Sequence, residues 1–443
     1  MTSPRSNPAT VLRGPLAYLV DDPFLTDPAS AFVHEPDGVV ICRDGLIEAA
    51  GPYDALRDGI PADAAIHHYP DGLICPGFID THVHYVQTGI IGAFGRQLLD
   101  WLNEYTFVAE QAFADPAYAA TVAGIFCDEL LRNGTTSALV FAAVYPQSVD
   151  ALFEEAGRRN MRLIAGKVMM DRNAPAALLD TAQSAYDDSL ALLERWHGRD
   201  RLLYAITPRF AATSTPAQLE AAGALWRAHP DAFVHTHISE NMGEIDWVRW
   251  LFPERAGYLD VYDHYGLVGR RTMLAHGVHL TEAEFGCCHE RGAAIAHCPT
   301  SNLFLGSGLF RVDAAKDPAR PVHVGLGSDI GAGTSFSLLA TAGEAYKVAQ
   351  LNGFALDAVR ALFLATLGGA RALGLDDRIG TIRAGHEADL VVLDPRATPL
   401  LAFRTERARS IEEILFVLMT LGDDRAVRAT YVAGRIAHAR DGA

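Results

Sequence analysis

Short runs of apolar residues alternate with longer stretches in which apolar residues recur every three or four positions, from residue 77 to about residue 330. The short runs are typical of buried strands, and the longer stretches, such as AQLEAAGALWRAH, are typical of amphipathic helices. Eight candidate strands begin at residues 77, 135, 162, 202, 233, 272, 293 and 322, with the sequences GFIDTHVH, TTSALVF, RLIAGKVMM, LLYAITPRF, FVHTHISE, TMLAHGVHL, AAIAHCPTSN and VHVGLGSD. This alternation predicts an α/β fold, a (β/α)8 barrel of the TIM type.

The two ends of the chain have a different pattern. The first 70 residues contain GVVICRDGLIEAAG, two short strands about a turn at Asp44 and Gly45, and the tail contains GHEADLVVLD and ATYVAGRIAH. Ser410, followed by IEEILFVLMTLG, predicts a capped amphipathic helix that ends at Gly422. We therefore expect a small β-rich domain formed by residues 1–70 and 376–443, beside a barrel over residues 71–375.

Charge and composition narrow the range of partners. The chain has 37 basic and 54 acidic side chains, a net charge of -17, and this averaged field repels nucleic acids and anionic membranes. No uninterrupted apolar stretch reaches the roughly 18 residues of a spanning helix, and the N-terminus lacks the apolar segment of a secretory signal. The sequence predicts a soluble, cytoplasmic protein that binds a small substrate, with neither nucleic acid nor membrane as a partner.

The cysteines bear on the kind of metal site to expect. Six are present, and none forms a CxxC pair. Their spacing argues against a zinc ribbon and against the cysteine-ligated nucleobase deaminases. We expect reduced, buried thiols.

Polar side chains gather at the C-terminal ends of the predicted strands, where barrels of this type build their active sites. His82 and His84 lie two residues apart on the first strand, so their side chains point to the same side of the sheet. The candidates on later strands are His237 and Glu240 on the fifth, His276 on the sixth and Asp329 on the eighth.

Four of these side chains suit a metal ion. An isolated HxH pair is weak evidence, because many such pairs are core or surface histidines. Three imidazoles and a carboxylate at the active end of one barrel are a stronger signal, since they match the ligands of a borderline ion such as zinc and leave a position open for water. The candidate metal ligands are His82, His84, His237 and Asp329.

The set of four ligands together with His276 resembles the amidohydrolase superfamily of metal-dependent hydrolases, and the tail AGHEADLVVLD is similar to the companion β-domain of that superfamily. Members with two metals commonly bridge them with a lysine at the end of the fourth strand. The fourth strand here ends in TPRF, which implies a single metal ion. Lys167 lies on the third strand, where the resemblance assigns it no role.

Local motifs are similar to those of the guanine deaminase family within this superfamily. They are THVHYVQTG, LLDWLNEYTF, ITPRFA, HTHISEN, HCPTSNLFLGSGLF and LGDDR, spread from about residue 70 to residue 430. Two positions depart from the family pattern: Val108 stands where proline is expected, and GSD replaces the commoner GTD. The resemblance implies a hydrolase of C–N bonds in cyclic amidines, which converts guanine to xanthine and ammonia in purine catabolism with a zinc-activated water. It also implies one Zn²⁺ per subunit, with Fe²⁺ as the alternative, and a homodimer.

The resemblance and the chemistry of the side chains assign roles within the site. Asp329 would accept the proton of the attacking water, His276 would hydrogen-bond the attacking oxygen, and Glu240 would carry protons to the ring and to the leaving amino group. The residues expected to bind guanine are Gln87, Arg209, Phe210, His237, Glu240 and Asp329. Arg209 would donate to O6 and N7 of the purine, as arginine does to guanine in DNA. Trp101 and Tyr105 recur at helical spacing, which fits either a lid or simple packing.

Two other functions stay open on the sequence. The same chemistry suits a pterin, 8-oxoguanine, cytosine or a triazine, because these rings share parts of guanine's hydrogen-bonding pattern. A non-catalytic barrel scaffold is the alternative from another class, and the presence of every expected ligand argues against it.

Overall fold

The computed structural model describes residues 8–95 and 97–440. Its strands are β1 (Thr10–Leu19), β2 (Phe32–Arg43), β3 (Leu46–Pro52), β4 (Ala65–His68), β5 (Leu73–Pro76), β6 (Phe78–His84), β7 (Thr135–Phe141), β8 (Arg162–Gly166), β9 (Val168–Met169), β10 (Leu203–Pro208), β11 (Phe233–Ile238), β12 (Thr272–His276), β13 (Ala294–His297), β14 (His323–Leu326), β15 (Leu390–Leu393), β16 (Val427–Val432) and β17 (Arg435–Ala439).

Helices connect most of these strands. They are α1 (Pro28–Ala31), α2 (Tyr53–Leu56), α3 (Leu98–Trp101), α4 (Phe107–Glu110), α5 (Pro116–Arg132), α6 (Pro146–Arg158), α7 (Ala182–Trp196), α8 (Pro216–Ala228), α9 (Met242–Leu251), α10 (Tyr258–His264), α11 (Glu282–Arg291), α12 (Pro299–Phe304), α13 (Val312–Ala315), α14 (Leu338–Leu351), α15 (Ala358–Ala365), α16 (Leu367–Leu373), α17 (Pro399–Thr405) and α18 (Ile411–Leu421). Between α3 and α4 the chain forms a π-helical turn, Leu102–Thr106.

The predicted barrel is confirmed. Strands β6, β7, β8, β10, β11, β12, β13 and β14 follow one another in a parallel sheet, and the two-residue strand β9 extends it beside β10. Backbone hydrogen bonds from Asp329 to His82 and from His84 to Ile330 join the segment after β14 to β6 and close the ring. Strands β6 and β7 are buried along their whole length, so the polar side chains that they carry, such as Asp80 and Thr135, also lie inside the protein.

A second sheet is formed by the two ends of the chain. Its order is β17, β16, β15, β5, β1, β2, β3, and β4 pairs with β1. The β2–β3 hairpin turns at Asp44 and Gly45, whose φ angles of 51° and 86° lie in the left-handed region that this tight turn requires. Tyr69 and Tyr431, 362 residues apart in the sequence, hydrogen-bond through their hydroxyls at 2.6 Å inside this sheet's core.

Charged groups join the small sheet to the barrel at the end opposite the strands' C-termini. The Arg162 guanidinium, at the start of β8, donates from Nε to Glu387 Oε2 at 2.8 Å. Arg201, just before β10, donates from Nε to the same oxygen at 3.0 Å and also pairs with Asp389. All four side chains are nearly buried. This network fixes the small sheet at the face of the barrel that carries no active-site residue.

The helix predicted after Ser410 is confirmed as α18. The Ser410 hydroxyl accepts a hydrogen bond from Glu413 N at 3.3 Å, and Gly422 follows the last helical residue. Its apolar face packs on the barrel helix α14, with the rings of Phe416 and Tyr346 5.0 Å apart. Over the described part of the chain, the helices are too short or too polar to traverse a bilayer.

The cysteines agree with the expectation from the sequence. All six are free, and all but Cys287 are buried. Burial raises the pKa of Cys42 and of Cys75 to about 12, so these thiols stay protonated at neutral pH.

Candidate active site

The C-terminal ends of the barrel strands surround a cavity. It is lined by His84, Gln87, Leu98, Trp101, Leu102, Arg209, Phe210, His237, Glu240, Glu244, His276, Leu305, Asp329 and Ala332. Polar groups capable of acid–base chemistry therefore share one cavity with apolar side chains, as is usual in small-molecule sites.

Three imidazoles meet at the floor of this cavity. The Nε2 atom of His84 lies 3.2 Å from Nε2 of His82 and 3.2 Å from Nε2 of His237. Asp329 Oδ1 lies 3.2 Å from Nε2 of His82 and 3.3 Å from Nε2 of His84. Burial lowers the pKa of all three histidines, to about 3 for His84, so the rings are neutral.

These side chains fit a divalent metal ion. Three neutral imidazole nitrogens that converge cannot all be hydrogen-bonded to one another, because one proton can be shared by only two of them and the third nitrogen is left without a partner. A cation that accepts their lone pairs removes the conflict, and Asp329 supplies the compensating negative charge. The structure thus brings together all four side chains that the sequence proposed as ligands.

Neighbouring groups hold two of these imidazoles in the orientation that a metal needs. His237 Nδ1 donates to the Arg209 carbonyl oxygen at 2.7 Å, which leaves the lone pair on Nε2. His82 Nδ1 lies 2.8 Å from Nε2 of His235, a fully buried residue on β11. Sequence reasoning did not assign His235, although the second HxH pair at 235–237 is a visible signal.

Glu240 and His276 face each other beside the three imidazoles and Asp329. His276 Nε2 lies 3.4 Å from Glu240 Oε2 and 3.7 Å from Asp329 Oδ2, while its Nδ1 lies 2.9 Å from Asn302 Oδ1. His276 and Asp329 have φ angles of 73° and 50°, so the backbone turns sharply at the ends of their strands and aims both side chains into the cavity. Burial and the charge of Asp329 raise the pKa of Glu240 to about 8, and the Ser307 hydroxyl donates to its Oε1 at 3.2 Å.

Arg209 lines the cavity with a partner that the sequence did not indicate. Its Nη1 donates to both carboxylate oxygens of Glu110, at 2.9 Å and 2.8 Å. Both side chains are nearly inaccessible, and Arg209 also lies over the ring of Phe107, 5.4 Å from its centre. Burial raises the pKa of Glu110, while Arg209 and a hydrogen bond from Gln87 act in the opposite direction.

Two aromatic candidates from the sequence, Phe210 and Trp101, line the cavity. Each also packs on an aromatic neighbour: the ring centres of Phe210 and Trp247 are 6.0 Å apart, and those of Trp101 and Tyr105 are 5.1 Å apart. The loop after β6 therefore covers the cavity through packed side chains, so the packing and lid interpretations coincide for Trp101.

Lys167 lies outside the cavity lining and is buried in an ion pair with Asp180. The two departures from the family pattern are also accommodated. Val108 is 62% exposed, so losing a proline there disturbs no core contact. The hydroxyl of Ser328 donates to Asp80, whose Oδ1 accepts from the backbone N–H of His82 at 3.2 Å.

Comparison with known proteins adds an independent line of evidence. Residues 73–437 match the sequence profile of the amidohydrolase family. The chain is 53% identical to guanine deaminase of Escherichia coli (strain K12) over 413 residues, which cover 93% of this chain and 94% of that one. It is 43% identical to a probable guanine deaminase of Deinococcus radiodurans over 412 residues, which cover 91% and 93% of the two chains.

Solved structures give the same result. The E. coli guanine deaminase structure superposes with a TM-score of 0.95 at 51% identity, covering 97% of this chain and 100% of that one. Guanine deaminase of C. acetobutylicum, with guanine bound in its active site, superposes with a TM-score of 0.86 at 29% identity and covers 97% and 99% of the two chains.

Proposed function

The chain belongs to the amidohydrolase family, and we propose that it is a guanine deaminase, which hydrolyses guanine to xanthine and ammonia. The observation that carries this proposal is the cavity, whose lining includes both the imidazole and carboxylate cluster and the side chains of Arg209 and Gln87. The cluster would supply the hydrolytic groups, and Arg209 and Gln87 would supply donors for a purine edge. Two of the relatives, from E. coli and C. acetobutylicum, are guanine deaminases, and the second has guanine bound in its active site.

His82, His84, His237 and Asp329 would hold the metal ion, for which we propose zinc, with Fe²⁺ as the alternative. Nitrogen ligands with one carboxylate favour a borderline ion of this kind over magnesium or calcium. When bound, such an ion lowers the pKa of water so that hydroxide is available near neutral pH.

Proton transfer falls to the chain's own carboxylates. Asp329 Oδ2 lies 3.7 Å from Nε2 of His276, and Asp329 would accept a proton from the attacking water. Glu240, with a pKa near 8, holds a proton at neutral pH and can give it to a ring nitrogen as C2 becomes tetrahedral. The Glu240 carboxylate can then take the hydroxyl proton from C2 and pass it to the amino group, so that the C2–N bond breaks, ammonia leaves and the C2 oxygen remains as the carbonyl of xanthine. The proton held by Asp329 then returns to Glu240.

Arg209 and Gln87 would recognise the purine edge. A guanidinium only donates, so it suits the O6 and N7 acceptors of guanine and opposes the amino group that adenine carries at position six. Gln87 Oε1 accepts from the backbone N–H of Gly331 at 3.2 Å, and this contact orients the side-chain amide. Phe210 would contribute apolar contact with the base.

We also propose a cytoplasmic homodimer with guanine as its small-molecule ligand, and a division into a barrel at 71–375 and a domain formed by 1–70 and 376–443. Symmetric dimers are the commonest assembly among soluble enzymes. Sedimentation tests the dimer directly, since a monomer has a mass of 47.8 kDa.

The test of function is turnover. The purified, metal-loaded protein should convert guanine to xanthine, followed by ultraviolet absorbance, with release of one ammonia per ring. 8-Oxoguanine, pterin, cytosine and a triazine serve as competing substrates, and Glu240→Gln serves as the inactive control. A higher kcat/KM for any of these rings than for guanine would overturn the assignment of substrate.

A further inference from the structure

Glu110 is a buried carboxylate next to the cavity that contributes no surface to it. It is the last residue of α4, on the loop that covers the barrel mouth, and its side chain is inaccessible to solvent. Both of its oxygens accept from Nη1 of Arg209, 99 residues later in the chain. Gln87, the other proposed purine-binding residue, hydrogen-bonds the same carboxylate.

This geometry favours an ionised Glu110. Arg209 Nη1 carries two N–H groups and no acceptor, and both oxygens of Glu110 accept from it, an arrangement that suits a carboxylate better than a protonated carboxyl. A guanidinium and a carboxylate carry opposite unit charges. The charges of Arg209 and Glu110 therefore cancel. Arg209 lines the cavity as a hydrogen-bond donor, and the buried Glu110 carboxylate compensates its positive charge.

The balance matters because substrate and product differ in charge. Guanine is neutral near pH 7, whereas xanthine loses a ring proton in the neutral range and becomes an anion. An unpaired, desolvated arginine would favour the anion by about tenfold or more, the usual effect of an opposite charge within about 4–6 Å. Such an enzyme would retain its product.

We propose that Glu110 is a positioning residue that cancels the charge of Arg209 and orients it with Gln87, so that the site binds neutral purine rings and releases anionic xanthine. The inference rests on the proposed function and names the device by which that site discriminates ligands. Its distinctive signature is the dependence of xanthine affinity on the ionisation of xanthine.

Other titratable groups also face this cavity. Burial raises the pKa of Glu240 to about 8 and that of Glu244 to about 7, so both carboxyls change charge near neutral pH. The imidazoles and the carboxylate that face the same space are His84, His237, His276 and Asp329. These groups are common to the wild type and to every Glu110 variant, so the comparison is made between proteins at each pH.

The experiment measures xanthine affinity by calorimetry on the metal-loaded protein, below and above the pKa of xanthine. The wild type should bind xanthine no more tightly once xanthine is an anion. Glu110→Gln, which keeps shape but not charge, should bind the anion about tenfold or more tightly relative to the neutral form. Glu110→Asp, which keeps the charge, should behave like the wild type.

Glu104→Gln is the matched control. It removes one negative charge from the same loop at an exposed position, so it should leave the pH dependence unchanged. Metal content and melting temperature are recorded for each variant.

Two results would overturn the proposal. One is a Glu110→Gln protein that binds guanine and xanthine equally weakly at both pH values, as a purely structural defect would make it. The other is a Glu110→Gln protein whose xanthine affinity changes between the two pH values by the same factor as that of the wild type. Because binding is measured without turnover, a failure of guanine hydrolysis would refute the proposed function separately from this charge balance.

Discussion

Replacing Arg209 with leucine should destabilise the fold as well as impair guanine binding. The substitution removes the partner of a carboxylate that is fully buried, with both oxygens engaged by the guanidinium. Breaking a buried pair from one side typically costs about 3–5 kcal/mol, because the remaining charge has neither water nor a counter-ion. The sequence alone suggested only a loss of contacts to the purine.

The loss of unfolding free energy in Arg209→Leu should depend on pH, and the direction of this dependence follows from the ionisation of Glu110. Without Arg209 the buried carboxyl has a folded pKa above its unfolded value near 4.3, so the folded state binds more protons. Stability of the variant therefore falls as pH rises above that unfolded value. The difference from the wild type should be small near about pH 5 and should approach about 3–5 kcal/mol near about pH 8.

The assay is urea unfolding of the metal-loaded protein at both pH values, followed by tryptophan fluorescence and circular dichroism, with coincident transitions as the condition for a free energy. The matched variant is Arg209→Leu together with Glu110→Leu. Apolar replacement of both partners is often neutral or better, so the double variant should regain most of the stability without regaining guanine binding. Equal unfolding free energies for the wild type and Arg209→Leu at the higher pH would refute the buried pair.

Three further predictions concern other parts of the molecule. His237→Ala should lose bound metal and activity together, since it removes one of four ligands; full metal occupancy by elemental analysis would contradict that role. Glu240→Gln should retain metal while kcat falls roughly 100-fold to 10,000-fold, and near-normal turnover would place the proton carrier elsewhere. Glu387→Gln should destabilise the junction between the small sheet and the barrel by about 3 kcal/mol at neutral pH. Burial raises the pKa of Glu387, but the hydrogen bonds and charges of its two arginine partners lower it overall. The difference in unfolding free energy between Glu387→Gln and the wild type should therefore shrink on acidification below the ordinary glutamate pKa. A difference in urea unfolding that stays constant with pH would argue against this.

Local patterns predicted the barrel strands and the C-terminal helix, but not strands β1, β4 and β5 of the small sheet. Strand β6 and helix α18 lie where apolar spacing and capping residues indicated, because both signals act between residues that are near in sequence. The candidate metal ligands could also be proposed from the sequence, since the C-terminal ends of parallel barrel strands converge and bring the polar residues at those ends close together.

Contacts between distant segments depended on the tertiary structure. Nothing near Glu110 in the sequence indicates Arg209, and the two meet only when the loop after β6 folds over the end of β10. The contact of His235 with His82 and the pairing of Lys167 with Asp180 are of the same kind. The spacing of residues along a strand determines the face of the sheet on which a side chain lies. A buried charge or polar ring, in contrast, needs a partner, and that partner can come from any segment that the fold brings close. That partner is set by how the loops and strands pack in three dimensions, which the order of residues alone does not specify.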